Sequence, residues 1–268
     1  MKILKQNVSQ EDKEYALDIL NKLRSGVRVF GSPAEGLKKT LTKLEENAPE
    51  DDDINSLEYH LNDSEYEEKK AKLKKGIKGE ETLAEYWEKA IRLDPLLSDI
   101  VVYASLGDES QQEEKDYIPD TDFLCLYGNN ILVVDAKNIN TKSDIPLFVQ
   151  GNGIFTALDH DKPILEVNSS TGFWKKVFSQ EYSGKIDSIS GCVCIINKTG
   201  CEVFKDEDWL SSDIKPIHIS DLVEFLHEWI KEKEPVFDLS LLTLIMKRQI
   251  RQTESDLDLS YGKRIFGV

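Results

Sequence analysis

The chain reads Asp120-Thr-Asp-Phe-Leu-Cys-Leu-Tyr-Gly-Asn-Asn-Ile-Leu-Val-Val-Asp-Ala-Lys-Asn138 at the stretch that decides the fold. Two apolar runs, 122–127 and 131–137, lie on either side of the turn signal Gly-Asn-Asn, so the stretch predicts a β-hairpin. The start of one hairpin strand lies beside the end of the other, which places Asp122 opposite Asp135. Side chains alternate between the faces of a strand, so Asp135 and Lys137 should share a face.

The charged side chains at the ends of this hairpin indicate a functional site. Buried charges without partners are unfavourable, and such a cluster usually binds a metal or performs chemistry. Asp122 and Asp135, with the backbone carbonyl of Ala136 and water, would suit Mg²⁺ or Mn²⁺. Lys137 beside a hydrated cation would position a water nucleophile and stabilise the charge that develops during phosphodiester hydrolysis. The alternative is an ion pair at the strand end, between Lys137 and either aspartate.

Three motifs, taken in order, resemble the nuclease-related domain (NERD) family of the PD-(D/E)XK restriction-endonuclease-like superfamily. They are Gly76-Ile-Lys-Gly79-Glu80 at a helix start, Asp122 before a hairpin that contains glycine, and Asp135-Ala-Lys137-Asn138 on the second strand. Asp122 and Asp135 are 135 − 122 = 13 positions apart, which fits the family hairpin. The resemblance covers roughly residues 70–232.

The resemblance implies an α/β fold with a restriction-endonuclease-like mixed β-sheet flanked by helices. It also implies a Mg²⁺-dependent nuclease, in which Glu80, Asp122 and Asp135 hold the metal and Lys137 acts on the nucleophile side. Glu80 has a second explanation, because the helix dipole stabilises an acidic residue in a first helical turn. Such domains occur in DNA processing and in defence against foreign DNA, so nucleic acid is the expected partner, with DNA favoured over RNA.

The chain departs from the family pattern in three respects. Phe123 stands where the family often has His, and Asp135 replaces the more common and longer Glu. The downstream signature Asn-Pro-x-x-Gln is not found, and Lys175, Lys176 and Gln180 lie in the corresponding region without an assignment. These departures keep open an inactive nucleic-acid-binding module, or a regulatory or scaffold subunit of a larger complex.

The composition fits one medium-sized domain with appendages, or two small domains. The 268 residues contain no apolar run long enough to span a membrane and no signal-peptide core, so a cytoplasmic protein without membrane contact is expected. The net charge of −16 argues against a broad nucleic-acid-binding surface, unless a partner supplies a basic one. Lysines concentrate in 69–78, where they would either guide a phosphate backbone towards Glu80 or form a solvated helix face.

The rest of the chain predicts a helical extension around the sheet. The expected units are a helical N-terminal region with an acidic linker (1–68), the nuclease-like domain (69–234) and a C-terminal helix with its tail (235–268). The apolar run 239–246 should pack on the N-terminal helices, on a partner protein or on a second copy of the chain. Predicted helices are 9–24 with Ser9 as N-cap, one from 32, 64–75, one from Gly79, 172–182, one capped by Ser220, and 239–252; further predicted strands are 99–105, 190–197 paired with 201–204, and 215–219, with an irregular segment over 138–168.

Overall fold

The computed structural model describes residues 1–4, 12–46, 57–107, 121–138, 147–150, 153–155, 160–161, 163–196, 203–205 and 214–248. These residues form six α-helices and a mixed six-stranded sheet with shorter strands beside it, which confirms the predicted α/β class. The helices are α1 (Lys13–Arg24), α2 (Glu35–Glu46), α3 (Leu57–Leu93), α4 (Pro163–Glu181), α5 (Leu222–Ile230) and α6 (Leu239–Met246). The strands are β1 (Lys2–Leu4), β2 (Val29–Phe30), β3 (Val101–Leu106), β4 (Thr121–Tyr127), β5 (Asn130–Lys137), β6 (Leu147–Gln150), β7 (Gly153–Phe155), β8 (His160–Asp161), β9 (Ser188–Ile195), β10 (Val203–Lys205), β11 (Ile214–His218) and β12 (Val236–Asp238).

The main sheet has the strand order β11-β9-β5-β4-β3-β2. At its centre β4 and β5 form the predicted antiparallel hairpin, paired from Phe123–Val134 to Tyr127–Asn130. β3 is antiparallel to β4, whereas β9 is parallel to β5, and the two edge strands are parallel to their neighbours. Both hairpin strands are therefore paired on both sides, and their apolar residues 123–126 and 131–134 are fully buried.

Strand alternation divides the core into two layers, one on each face of the main sheet. Ile131 and Val133 of β5 pack with residues of α1, α4 and α6. Leu132 and Val134 pack on the other face with residues of α3 and α5. Removal of this apolar surface from water stabilises the fold by about 25 cal/mol for each Å² buried. The end of β5 consequently lies between two helix layers, and each layer can supply a side chain to it.

Helix α3 runs without a break over 37 residues, so the prediction of one helix at 64–75 and another from Gly79 is wrong. The domain boundary expected after residue 68 also falls inside this helix. Glycine reads as a break in the sequence, but here it serves close packing: a Cβ at Gly79 would lie 2.8 Å from Cβ of Asn138. Asn138 also donates a hydrogen bond from Nδ2 to the backbone carbonyl of Lys75 at 2.9 Å. The missing side chain thus lets α3 approach the end of β5.

Gly79→Ala should destabilise the protein, although alanine is the better helix former. The new methyl group would meet Asn138 Cβ at 2.8 Å, and overpacking of this kind costs about 1–3 kcal/mol. Gly172→Ala in α4 is the matched control, because no atom lies within 4 Å of a Cβ built there, and it should stabilise by about 1 kcal/mol. Urea denaturation measures both changes. Equal stabilisation by the two substitutions would contradict the close packing.

Helix α4 begins at Pro163, which is 172 − 163 = 9 positions before its predicted start. The polar run Asn168-Ser-Ser-Thr-Gly172 reads as a loop, but tertiary packing overrides its weak helix propensity. Ser170 and Thr171 are buried within the helix. Gly191 of β9 provides the space, since a Cβ there would lie 2.5 Å from Val167 Cγ1. The first turn of α4 is thereby brought to the end of β5.

The segment predicted to be irregular contributes three short strands to a second sheet of order β10-β6-β7-β8. β6 and β7 pair in antiparallel fashion, with Gln150 opposite Gly153. β10 pairs with β6, so the prediction that 201–204 pairs with the strand at 190–197 is wrong. The physical reason is that both edges of β9 are already occupied, one by β5 and the other by β11.

Helix α6 packs on α1, which confirms one of the alternatives predicted for the apolar run 239–246. Leu241 and Ile245 are fully buried in the same cluster as Ile19. This face is covered within the chain and is not available to a partner protein or a second copy. α6 ends at Met246 rather than at the predicted residue 252, and β12 just before it pairs with β1.

Two smaller predictions concern helix caps. Ser9 lies outside the described residues. Ser220 lies within a 3₁₀ turn, Ile219–Asp221, and the N-cap position of α5 belongs to Asp221, so the predicted Ser220 cap is wrong.

None of the helices in the described ranges is both long enough and apolar enough to cross a lipid bilayer.

Candidate active site

The charged residues of the hairpin lie at one end of the main sheet. Asp122 lies near the start of β4, while Asp135 and Lys137 lie at the end of β5. The last ladder pair is Phe123–Val134, and one step further along the same antiparallel register position 122 lies opposite position 135. At this end the Asp122 side chain links β4 to β5, because its Oδ2 accepts a hydrogen bond from the backbone N–H of Ala136 at 2.7 Å.

Lys137 lies between two carboxylates. Its Nζ is 3.5 Å from Asp135 Oδ2 and 2.6 Å from Glu166 Oε2. The first distance confirms that Asp135 and Lys137 share a face of β5, and it is also the strand-end ion pair that the sequence left open. The second contact comes from the first turn of α4. The Lys137 and Asp135 side chains are only 21% and 18% exposed, so both are shielded from solvent screening more than a surface pair is.

Glu80 reaches the same end of the sheet from the opposite helix layer. The residue is 5% exposed, and its Oε2 accepts a hydrogen bond from the backbone N–H of Ala34 at 2.8 Å. Gly79 packs on Asn138, the residue after Lys137. This contact fixes the position of α3, and therefore of Glu80, relative to the end of β5. Glu80 lies well inside α3, so the explanation of Glu80 as a first-turn residue stabilised by the helix dipole is wrong.

The pKa of Asp122 shows that these charges act on one another. Burial raises the pKa well above the ordinary aspartate value, and the negative charges of Glu80 and Asp135 raise it further. The N–H of Ala136 and the ammonium of Lys137 lower the pKa without reversing the shift. The four residues that the sequence singled out, Glu80, Asp122, Asp135 and Lys137, therefore form one electrostatic cluster in which negative charge exceeds positive charge.

The cluster has donors that suit a hard divalent cation. Mg²⁺ keeps several of its waters and is usually bound through one or two carboxylates. Among the described residues, no three Asp, Glu, His or Cys side chains converge closely enough to hold a metal ion. The predicted ligand set of Glu80, Asp122 and Asp135 is therefore not assembled as a three-ligand site, and one or two carboxylates with water are the arrangement that fits. The Ala136 carbonyl stays a predicted ligand, while its N–H binds Asp122.

Asp122→Asn should stabilise the cation-free protein at neutral pH. A carboxyl group with a raised folded-state pKa favours folding at pH values below its unfolded-state pKa, and this contribution is lost as the pH rises through the folded-state pKa. The wild type should therefore lose stability as the pH rises above the ordinary aspartate value of 3.8, and the variant should lose less. Thermal denaturation over a pH series measures the difference.

Mn²⁺ should restore stability to the wild type more than to Asp122→Asn, because a cation that binds only the folded state stabilises it. Asp187→Asn is a matched control, since that carboxylate is half exposed and paired with Lys185 at 3.0 Å. The control should keep the wild-type response to pH and to Mn²⁺. Identical pH profiles for the wild type and Asp122→Asn would contradict the burial of this charge.

Glu166 is the site residue that the sequence interpretation missed. Pro163-Ile-Leu-Glu166 places a proline in the first turn of a helix with an acidic residue three positions later, which is a helix-start signal. This helix-start signal could have predicted that α4 begins at Pro163. The contact between Glu166 and Lys137 depends on that start.

Lys175, Lys176 and Gln180 are exposed on the same helix. At a rise of about 1.5 Å per residue they lie about 14–21 Å beyond Glu166 along the helix axis. The structure therefore brings Glu166, rather than any of these three residues, to the end of β5.

The lysine-rich segment 69–78 lies in α3 just before Glu80. Part of its charge is matched within the protein, because Lys72 pairs with Glu68 at 2.7 Å and Lys70 pairs with Glu45 at 3.2 Å. These pairs fit the solvated helix face that the sequence offered as one alternative. Guidance of a phosphate backbone by the segment stays a prediction.

No family model, curated protein or solved structure matches the chain. The resemblance to the NERD family therefore rests on the order and spacing of its motifs.

Proposed function

We propose that the protein is a metal-dependent nuclease that hydrolyses phosphodiester bonds of nucleic acid, with DNA as the favoured substrate. The observation that carries the proposal is the partly buried Asp122 carboxyl group, which is hydrogen-bonded to the Ala136 N–H and on which Glu80, Asp135 and Lys137 all act. A partly buried cluster of like charges that shifts a pKa in this way is typical of catalytic and cation-binding sites. The motifs that resemble the NERD family support the same activity and a restriction-endonuclease-like sheet.

The residues of the cluster have separable roles in this proposal. A divalent cation held with water by one or two of the carboxylates of Glu80, Asp122 and Asp135 would supply positive charge against the phosphate. The N–H of Ala136 orients Asp122, and the N–H of Ala34 orients Glu80, so both carboxylates are fixed before a substrate arrives. The carboxylates of Asp122 and Glu80 are thus each oriented by a backbone N–H, which is more rigid than a side-chain donor would be.

Lys137 supplies the positive charge that belongs to the chain itself. Asp135 and Glu166 hold its ammonium group at the edge of the cluster, at 3.5 and 2.6 Å. From there it would contact the attacking water or the negative charge that develops on the phosphate. Glu166, with its side chain 55% exposed, keeps Lys137 in place from the more open side.

A cleavage assay tests the proposal. The purified protein is incubated with supercoiled plasmid, linear duplex DNA, single-stranded DNA and RNA, each with Mg²⁺, Mn²⁺ or EDTA. We expect cleavage with either metal and none with EDTA. Asp187→Asn, purified in parallel, should cleave like the wild type. Failure to cleave any of the four substrates with either metal would contradict the proposal.

A binding module without turnover is the second candidate. Two observations favour it: the three carboxylates do not form a three-ligand site within the described residues, and Lys137 is already engaged by two carboxylates. This candidate predicts that fluorescence anisotropy detects binding of labelled nucleic acid under conditions in which no cleavage occurs.

The proposed cellular context follows from the resemblance, which implies DNA processing or defence against foreign DNA. The net charge of −16 opposes broad contact with phosphates, so a partner protein with a basic surface would help to hold the substrate. The run 239–246 is buried on α1, so a partner or a second copy would have to use another face.

A further inference from the structure

Two strained residues lie beside the candidate active site. Among the residues that the structure describes, the non-glycine residues with a left-handed backbone are Ala34 (φ 59°), Ser105 (φ 50°) and Glu232 (φ 62°). Ala34 and Ser105 are 1% and 2% exposed, whereas Glu232 lies on the surface. Non-glycine residues avoid this conformation, and where it persists in a buried region the surroundings hold it in place, often at a functional site.

The strained residues connect the start of α2 to the carboxylate cluster. The N–H of Ala34 donates to Glu80 Oε2 at 2.8 Å, and the next N–H along the chain, that of Glu35, donates to Ser105 Oγ at 3.0 Å. The β3–β4 ladder pairs Ala104 with Phe123 and Leu106 with Thr121, so Ser105 lies opposite Asp122. The Ala34 N–H therefore binds Glu80 of the cluster. The Glu35 N–H binds Ser105, which lies on the strand beside Asp122.

We propose that Ala34 and Ser105 are positioning residues, which hold Glu80 in the orientation that a divalent cation at the cluster requires. The inference rests on the proposed cation site and adds the N-terminal part of the chain to it. Ser105 Oγ fixes the turn before α2, and the turn directs the Ala34 N–H at Glu80. Without the hydroxyl group the turn would relax away from its strained backbone, and the Glu80 carboxylate would lose the hydrogen bond from the Ala34 N–H.

The two substitutions Ser105→Ala and Ser105→Gly separate positioning from stability. Both remove Oγ, but glycine also relieves the strain at this φ, so Ser105→Gly should be the more stable of the two. Loss of a residue that orients a metal ligand typically costs about 10–100-fold in metal affinity, so we expect both variants to bind Mn²⁺ about tenfold more weakly than the wild type. Isothermal titration calorimetry of the full chain with Mn²⁺ alone measures this affinity without any cleavage step.

Glu232→Gly is the matched control. It relieves the same backbone strain on the surface, away from the cluster, and should leave the Mn²⁺ affinity unchanged. Weaker Mn²⁺ binding in this control would point to a general effect of glycine on the fold and would overturn the proposal.

A double-mutant cycle with Glu80→Gln identifies the residue through which Ser105 acts. If Ser105 acts by orienting Glu80, then Ser105→Ala should have no further effect on Mn²⁺ affinity once Glu80 is replaced. Additive losses would overturn the proposal, as would wild-type affinity in both Ser105 variants or a wild type that binds no Mn²⁺. A wild type that binds Mn²⁺ but cleaves nothing would refute the nuclease activity and leave the positioning role standing.

Discussion

We expect Asp135→Asn to abolish cleavage of nucleic acid. The substitution keeps the shape of the side chain but removes a negative charge that acts on Asp122 and lies 3.5 Å from Lys137. Loss of a residue that only supports a metal ligand costs about 10–100-fold in affinity or activity, so loss of a proposed ligand should cost more than about 100-fold. Cleavage of linear duplex DNA over a Mg²⁺ series measures the change.

Lys137→Ala should fail in a different way. Lys137 does not bind the proposed cation, so the affinity for Mn²⁺ should stay near that of the wild type while the rate of cleavage at saturating metal falls. Binding of nucleic acid should survive both substitutions. Asp135→Asn removes a negative charge and so lessens the repulsion of phosphate by the cluster, whereas Lys137→Ala removes only a single positive charge.

Matched controls for this pair lie elsewhere on the surface of the molecule. Asp187 and Lys185 form an exposed ion pair at 3.0 Å just before β9, and Asp187→Asn and Lys185→Ala should each leave cleavage unchanged. Full activity in both Asp135→Asn and Lys137→Ala would show that the cleavage belongs to another site or to a contaminating enzyme.

Ile19→Ala should reduce the free energy of unfolding by about 2–5 kcal/mol, the usual cost of removing a large buried aliphatic side chain. Ile19 is fully buried in the cluster that joins α1 to α6 and to one face of the main sheet. Leu17→Ala is the control on the same helix, because Leu17 is 59% exposed, and it should change stability by no more than about 0.5 kcal/mol.

Urea denaturation followed by circular dichroism measures both variants. A loss of stability in Ile19→Ala shows that the terminal helices belong to the core of the sheet rather than to a separate appendage. Equal stability of the Ile19 and Leu17 variants would place α1 and α6 outside the cooperative unit.

The sequence was sufficient to predict those parts of the fold and site that depend on residues close together along the chain. The hairpin at 122–137 was predictable because a glycine–asparagine turn and two apolar runs determine both its turn and its register. The shared face of Asp135 and Lys137 followed from strand alternation alone. The opposition of Asp122 and Asp135 followed from the register of the same hairpin.

The sequence was not sufficient where distant elements decide the structure. Gly79 reads as the start of a helix, and only contact with Asn138 shows why glycine occurs inside one. The start of α4 depends on packing at Gly191, and Glu166 joins Lys137 only because of that start. The strain at Ala34 and Ser105 is set by contacts that no local pattern records.

The contact between Gly79 and Asn138 constrains how this sequence can evolve. Position 79 has no room for a side chain as long as position 138 has one, because a Cβ built at Gly79 would lie 2.8 Å from Asn138 Cβ. A substitution at one of these positions therefore restricts which residues the other position tolerates. Homologous chains that keep α3 at this distance should retain glycine at 79, or acquire a larger residue there only together with glycine at 138. Such paired exchange, read from an alignment of natural variants, would record this helix–strand distance across the lineage.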